Sequence, residues 1–407
     1  MSKLSRDPHL DQLVQQLNRS EAPIESVGEG SAERASSLST SWPPASVPEG
    51  NPLEALLIEM AQKGASDLIL LAGSPPIFRV GGRLQPADSG TLEASTIQGI
   101  LGGFVTSKMR EKIEVAGCAD FSIRLSRPQE GGTAWRFRVN VHRQRGTMAA
   151  AIRALPVEVP SLSQLNLPPS LAELVKPTRG LVLVCGPTGS GKSTTLAGMV
   201  GEINKTQGRH VITIEDPLEY EHRNGKSIIE HVEVGRDTPS FAAALRAALR
   251  QDPDVILVGE MRDLETVATA LTAAETGHLI LSTLHTSDAT QAIHRIIDVF
   301  PPAQQTQIRQ QLALSLNAIV CQQLIPRSSG GGRAVAVEVL LANMPVRNHI
   351  RNDKLQNLAT EITLGRRQGM ISLEDSLARL IQQGLISLDE ARVRATRPDE
   401  LDSILRL

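Results

Sequence analysis

The run Gly186-Pro187-Thr188-Gly189-Ser190-Gly191-Lys192-Ser193-Thr194 has the residue types and the spacing to hold a triphosphate. Its three glycines let backbone N–H groups turn inward on phosphate oxygens with no side chain in the way. An apolar stretch at 181–184 precedes the run and a helical pattern begins at Lys192, so the phosphates meet the positive end of a helix. Lys192 would reach the β- and γ-phosphates and Ser193 Oγ would ligate Mg²⁺. The chain is expected to bind a nucleoside triphosphate with Mg²⁺.

Three further clusters carry chemistry. Residues 213–219 place Glu215, Asp216 and Glu219 within five positions after an apolar strand, and Pro217 stops any helix there. A carboxylate at this point can polarise the water that attacks a γ-phosphate; a solvated acidic turn is the plain alternative. Residues 252–260 form an apolar strand ending in Glu260, which such a strand sets beside the Mg²⁺, bound directly or through water. His278 and His285 flank the apolar run 279–283 and read as a γ-phosphate sensor or a contact to a neighbouring subunit. No third ligand lies at zinc spacing. Arg136, Arg138, Arg143, Arg145 and Arg153 crowd one stretch, either a basic solvent face or groups that reach the triphosphate of an adjacent subunit.

These clusters need a scaffold. Strands are expected at 181–184, 210–215, 255–259 and 279–283, with helices at 192–204, 240–250 and 264–275. That alternation implies a parallel sheet with its site at the strand C-termini, and the phosphate loop and the acidic and histidine clusters are all expected at such ends. Upstream, helices at 53–63 and 96–114 accompany strands at 67–71, 76–80, 119–125, 134–141 and 146–154, an α+β domain of mostly antiparallel appearance over 51–156. A Pro-punctuated connection at 157–178 holds one short helix at 171–175. Residues 1–50 read as a tail, with a short amphipathic helix at 10–17 and a Ser/Pro/Gly/Glu-rich linker behind it. The region 341–407 is helical: Ser372 and Ser387 fit capping boxes, Leu373, Leu377, Leu380 and Ile381 share an apolar face, and Gly384 can end the helix. These last residues are expected to pack rather than react.

Composition narrows the class. Across 407 residues, 42 Lys plus Arg nearly balance 44 Asp plus Glu, so bulk charge does not point to nucleic acid or anionic lipid. The three cysteines, Cys118, Cys185 and Cys321, form no C-x-x-C pair, which fits a reducing cytoplasm. No apolar run approaches a membrane span and the first residues lack a signal-peptide core. Aromatic content of 2% argues against a stacking reader of single strands.

Taken together, GPTGSGKSTTLA at 186–197, ITIEDPLEY at 212–220, LRQDPDVILVGEMRDLET at 249–266 and TGHLILSTLHT at 276–286, running on to RIIDVFP at 295–301, resemble the PilT family of type IV pilus retraction ATPases. That family lies within the type II and type IV secretion ATPases, and the resemblance spans about residues 53–395. It implies a PAS-like N-terminal domain, a RecA-like P-loop ATPase domain over 179–340 and a homohexameric ring with ATP between domains. It further implies that Glu219 is the catalytic glutamate, Glu260 the Walker B acid, and His278 and His285 the His-box pair. Arg138, Arg145 and Arg153 fall where such rings aim arginines at nucleotide. Residues 345–354 resemble the family's retraction motif, keeping Arg347, Asn348, Ile350 and Arg351, and the zinc tetracysteine of extension ATPases is absent. Ile69, Cys118, His349, Asn352 and Asp353 depart from the family pattern.

The expectation is therefore a hexameric, cytoplasmic Mg²⁺-ATPase that powers pilus retraction, held at the inner membrane through a platform protein and partnered by a paralogous pilus ATPase. An assembly or secretion motor is the alternative within the class. A RecA-type nucleic-acid-dependent ring is the alternative outside it, disfavoured by the charge balance. A non-hydrolysing nucleotide-binding regulator is weakest, since Glu219 and Glu260 are intact.

Overall fold

The computed structural model describes residues 45–47, 50–125 and 134–406, and the helix expected at 10–17 lies outside them. The expected tail over 1–50 ends earlier than its composition indicates. Strand β1 (Ala45–Ser46) pairs parallel with β5 (Cys118–Leu125), and the buried Val47 donates its N–H to Arg124 O (2.9 Å).

The first sheet has the order β1-β5-β6-β7-β2-β3-β4, where β2 is Asp67–Leu70, β3 Ile77–Val80, β4 Arg83–Pro86, β6 Trp135–Gln144 and β7 Thr147–Leu155. Every pairing except that of β1 is antiparallel. Side chains alternate across a strand. On β6, Phe137, Val139 and Val141 therefore enter a core with Leu53, Leu57 and Met60 of α1 (Pro52–Gln62), and Arg136, Arg138 and Asn140 take the opposite face. The single helix expected over 96–114 is two, α2 (Ala94–Gly102) and α3 (Ser107–Ala116). Glycines at 102 and 103 weaken the helix, and Thr106 Oγ1 caps the next one by accepting the Met109 N–H (3.3 Å).

The second sheet has the order β10-β9-β11-β12-β8-β13-β14. Its strands are β8 (Gly180–Cys185), β9 (His210–Glu215), β10 (Ile228–Glu233), β11 (Val255–Val258), β12 (Leu279–Leu284), β13 (Leu316–Pro326) and β14 (Arg333–Leu341). All pair parallel except the β13–β14 hairpin. After α4 (Ser170–Glu173), the helices α5 (Lys192–Thr206), α6 (Phe241–Ala248), α7 (Leu264–Thr276), α8 (Ala289–Asp298) and α9 (Pro302–Ser315) cover its two faces. A parallel strand covered on both sides must be apolar throughout, and every residue of β8 is buried. Leu181, Leu183 and Cys185 join Leu271 and Ile293 on one side; Val182 and Val184 join Leu196 and Met199 of α5 on the other. The architecture is mixed α/β.

The chain closes with α10 (Met344–Arg351), α11 (Leu358–Leu364), α12 (Leu373–Gln382), α13 (Leu388–Arg394) and α14 (Pro398–Leu405). Ser372 and Ser387 accept the N–H groups of Asp375 (3.1 Å) and Glu390 (3.2 Å). Leu373, Leu377 and Leu380 pack with Ile325 and Ala336 of the hairpin, and Gly384 takes a left-handed φ of 68°. Among the described residues no helix is long and apolar enough to cross a membrane.

Candidate active site

The loop between β8 and α5 is shaped by contacts that tolerate only glycine at its base. Gly186 has φ 146°, and a Cβ there would lie 2.4 Å from Gln322 O and 2.5 Å from Ser190 Oγ. Gly189 and Gly191 also have positive φ, 78° and 89°. Gly191 caps α5 without a side chain, so the first N–H groups of that helix stay open to an anion. Ser190 Oγ is buried with no hydrogen-bond partner. Open N–H groups, an orphan hydroxyl and a backbone cradle that a methyl would fill together fit phosphate. Lys192 Nζ donates to Gly186 O (2.9 Å) and Pro187 O (3.0 Å), and burial pulls its ammonium below the usual range, against the charge of Glu260.

The loop is braced by a residue the sequence did not reveal. Gln322 of β13 donates through Nε2 to Ser190 O (2.6 Å) and accepts the Thr195 hydroxyl through Oε1 (2.8 Å). Thr194 Oγ1 meets Tyr220 OH at 3.0 Å. The acids stand opposite. Glu215 ends β9, and burial raises its carboxyl to about 7; it accepts the Glu219 N–H (3.3 Å). The Asp216–Pro217 peptide between them is cis. Beyond β11, Glu260 Oε1 pairs with Arg262 Nε (2.5 Å) and His285 Nε2 (3.3 Å). Thr283 Oγ1 ties the preceding Gly259 O (2.6 Å) to β12. Lys192, Ser193, Glu215, Glu219, Glu260 and His285 line a single cleft of about 960 Å³ at the C-terminal ends of β8, β9, β11 and β12.

Residues 131–393 match the family model described as Type II/IV secretion system protein. The type IV pilus retraction ATPase PilT of Pseudomonas aeruginosa is 43% identical over 344 residues, 84% of this chain and 98% of that protein. The chain belongs to the PilT family. A twitching motility protein of Neisseria gonorrhoeae is 41% identical over 331 residues, covering 81% of this chain and 87% of its own. The crystal structure of the pilus retraction motor PilT with bound ADP matches with a TM-score of 0.79 at 46% identity, over 86% of this chain and 99% of that one.

The PilT-family signatures do not all meet in one chain's cleft. His285 lines it, whereas His278 sits at the other end of β12, where Nδ1 lies 3.2 Å from Ala273 O. The six-residue strand between them spans about 20 Å. Arg138 lines the cleft and pairs with Asp120 (3.4 Å). Arg145 lies in the β6–β7 turn with φ 49°, and Arg153 is solvent-exposed and paired with Asp67 (2.9 Å); neither lines the cleft. The residue of that basic stretch bound to the acidic loop is Arg136. It is buried and donates to Leu218 O (2.7 Å) and Glu219 O (3.4 Å). Its alternation with Phe137 placed it off the first core, but nothing local named its partners. In the segment resembling the retraction motif, Val346 and Ile350 are buried, and Arg347 Nη1 donates to Ala313 O (2.6 Å) and Leu314 O (2.7 Å) at the end of α9.

Proposed function

We propose that this chain hydrolyses ATP with Mg²⁺ and that the work drives type IV pilus retraction. The observation that supports it most is the convergence of Lys192, Ser193, Glu219 and Glu260 on one cleft. These are the cradle, the cation-holding groups and the proton acceptor that γ-phosphate hydrolysis requires. Lys192 exchanges the carbonyls of Gly186 and Pro187 for β- and γ-phosphate oxygens. Ser193 and, through water, Glu260 would hold Mg²⁺, which when bound offsets the phosphate charge. Two protein ligands suit this cation, which keeps much of its water shell. Glu219 takes the proton of the attacking water, and His285 steadies the Glu260 carboxylate.

The finer reading follows the family. Residues 51–156, joined by β1, act as a PAS-like domain, 157–178 as the connection, 179–340 as a RecA-like ATPase domain and 341–407 as its helical extension. Six copies form a ring in which Arg138, Arg145 and Arg153 are the arginines that face nucleotide and His278 contacts a neighbouring subunit. The ring works at the cytoplasmic side of the inner membrane, on a pilus platform protein, alongside a paralogous ATPase. The names of the similar proteins, pilus retraction and twitching motility, favour retraction over assembly. The test pairs ATPase assays of the wild type and Glu219→Ala with a gene deletion scored for surface pili. Hydrolysis lost in the variant and extra pili in the deletion are expected. Pili lost on deletion would make it an assembly motor.

A further inference from the structure

The backbone of Glu219 is held from both sides. Its N–H donates to Glu215 Oε2 (3.3 Å), while the carbonyls of Leu218 and Glu219 accept from Arg136 Nη2 (2.7 Å) and Nη1 (3.4 Å). Arg136 belongs to the first sheet, 82 positions from Leu218, and its side chain is 6% exposed. A guanidinium so buried must find partners. Glu221 supplies its countercharge, with Oε2 3.7 Å from Arg136 Nε and Oε1 2.5 Å from Arg124 Nη2 on β5. Two neighbouring strands of the first sheet thus end on the loop that carries Glu219. The planar fork of Arg136 meets two successive carbonyls at once, which the single ammonium of a lysine does not reproduce.

We infer that Arg136 is a positioning residue for hydrolysis: it fastens Glu219 to the first sheet, so that the proton acceptor is in place only while that sheet is seated on the acidic loop. Nucleotide binding, which rests on the glycine loop and Lys192, does not depend on it. The inference builds on the reading of the cleft as an ATPase with Glu219 as its base.

The test uses the full chain and compares ATP turnover, fluorescent-ADP binding and melting for the wild type, Arg136→Lys, Arg136→Ala and Glu221→Gln. Displacing a reacting group by about 1 Å costs roughly 100-fold in rate. Arg136→Lys should therefore lose about 10- to 100-fold in kcat and keep KM and ADP affinity within about twofold of wild type. Guanidinium ion added to Arg136→Ala should restore part of its turnover. If Arg136→Ala does not fold, Glu221→Gln, on a half-exposed partner, should still lower kcat without weakening ADP binding. An unchanged kcat in Arg136→Lys overturns the inference. So does a loss of kcat, ADP affinity and melting temperature together with no rescue by guanidinium, because Arg136 would then only hold the fold. A wild type without ATP turnover refutes the ATPase reading itself, whereas normal wild-type turnover with a fully active Arg136→Lys refutes this inference alone.

Discussion

Replacing Gln322 by leucine should weaken nucleotide binding although Gln322 carries no charge and lies a full strand away from the loop's own sequence. Gln322, Ser190 and Thr195 are 2%, 3% and 2% exposed, so neither partner can turn to water. In Gln322→Leu the Thr195 hydroxyl can rotate onto the carbonyl four residues back in its own helix, a small cost. Ser190 O has no such exit, and a buried acceptor left without a donor costs about 1–3 kcal/mol. That penalty falls on the loop conformation that binds phosphate. A coupling of about 1–3 kcal/mol is a 5- to 150-fold change in affinity. Titration with a fluorescent ADP analogue measures it directly. A companion, Gln322→Glu, sharpens the test: the protonated acid has one O–H for Ser190 O and an oxygen for Thr195, whereas the carboxylate opposes the Ser190 carbonyl. Its binding should recover on acidification, and that of Gln322→Leu should not. Wild-type affinity in Gln322→Leu, or pH-independent binding in Gln322→Glu, would show that the brace does not set the loop.

Gly186→Ala, with its Cβ driven to 2.4 Å from a backbone oxygen, should shift the loop by the order of 1 Å and lower kcat/KM about 100-fold in steady-state ATPase assays. Burial lifts the Glu338 carboxyl to about 7 from an ordinary 4.5, so the folded protein keeps a proton there that the unfolded chain has lost. Stability from this group therefore falls as pH rises between those values. Glu338→Gln, which still accepts the Ala289 N–H, should gain on the wild type across that window by at most about 3 kcal/mol, read from urea midpoints at its two ends. Arg347→Ala removes two short bonds to the last carbonyls of α9 and should cost about 1–2 kcal/mol in urea titrations, with ATP turnover in solution retained.

What the sequence made legible follows from how parallel strands are buried. Strands β8, β9, β11 and β12 are covered on both faces, so they stand out as short apolar runs, and the residues that follow each run are the ones presented to the cleft. Lys192, Glu219, Glu260 and His285 were readable for that reason. Strand β13 was not, because Asn317, Gln322 and Gln323 interrupt its apolar character. Gln322 earns its role from the register that sets Cys321 beside Cys185, a pairing no local pattern encodes. The break between α2 and α3 was hidden by apolar residues whose helical spacing carries across it.

The two histidines and the arginines show where spacing misleads. His278 and His285 look equivalent as flanks of one strand, yet a strand separates its ends by its full length, so one chain brings only His285 to the glutamates. The arginines differ by face and by reach. Arg136 and Arg138 project from the same side of β6; Arg138 opens onto the cleft and Arg136 is buried against the acidic loop. Their order along the strand decides which meets solvent and which meets carbonyls. Placement was therefore legible where a residue follows the end of its own strand. It was illegible where a side chain contacts another element, as Arg136 and Gln322 do, because what they meet there is backbone carbonyl, which no side-chain pattern marks.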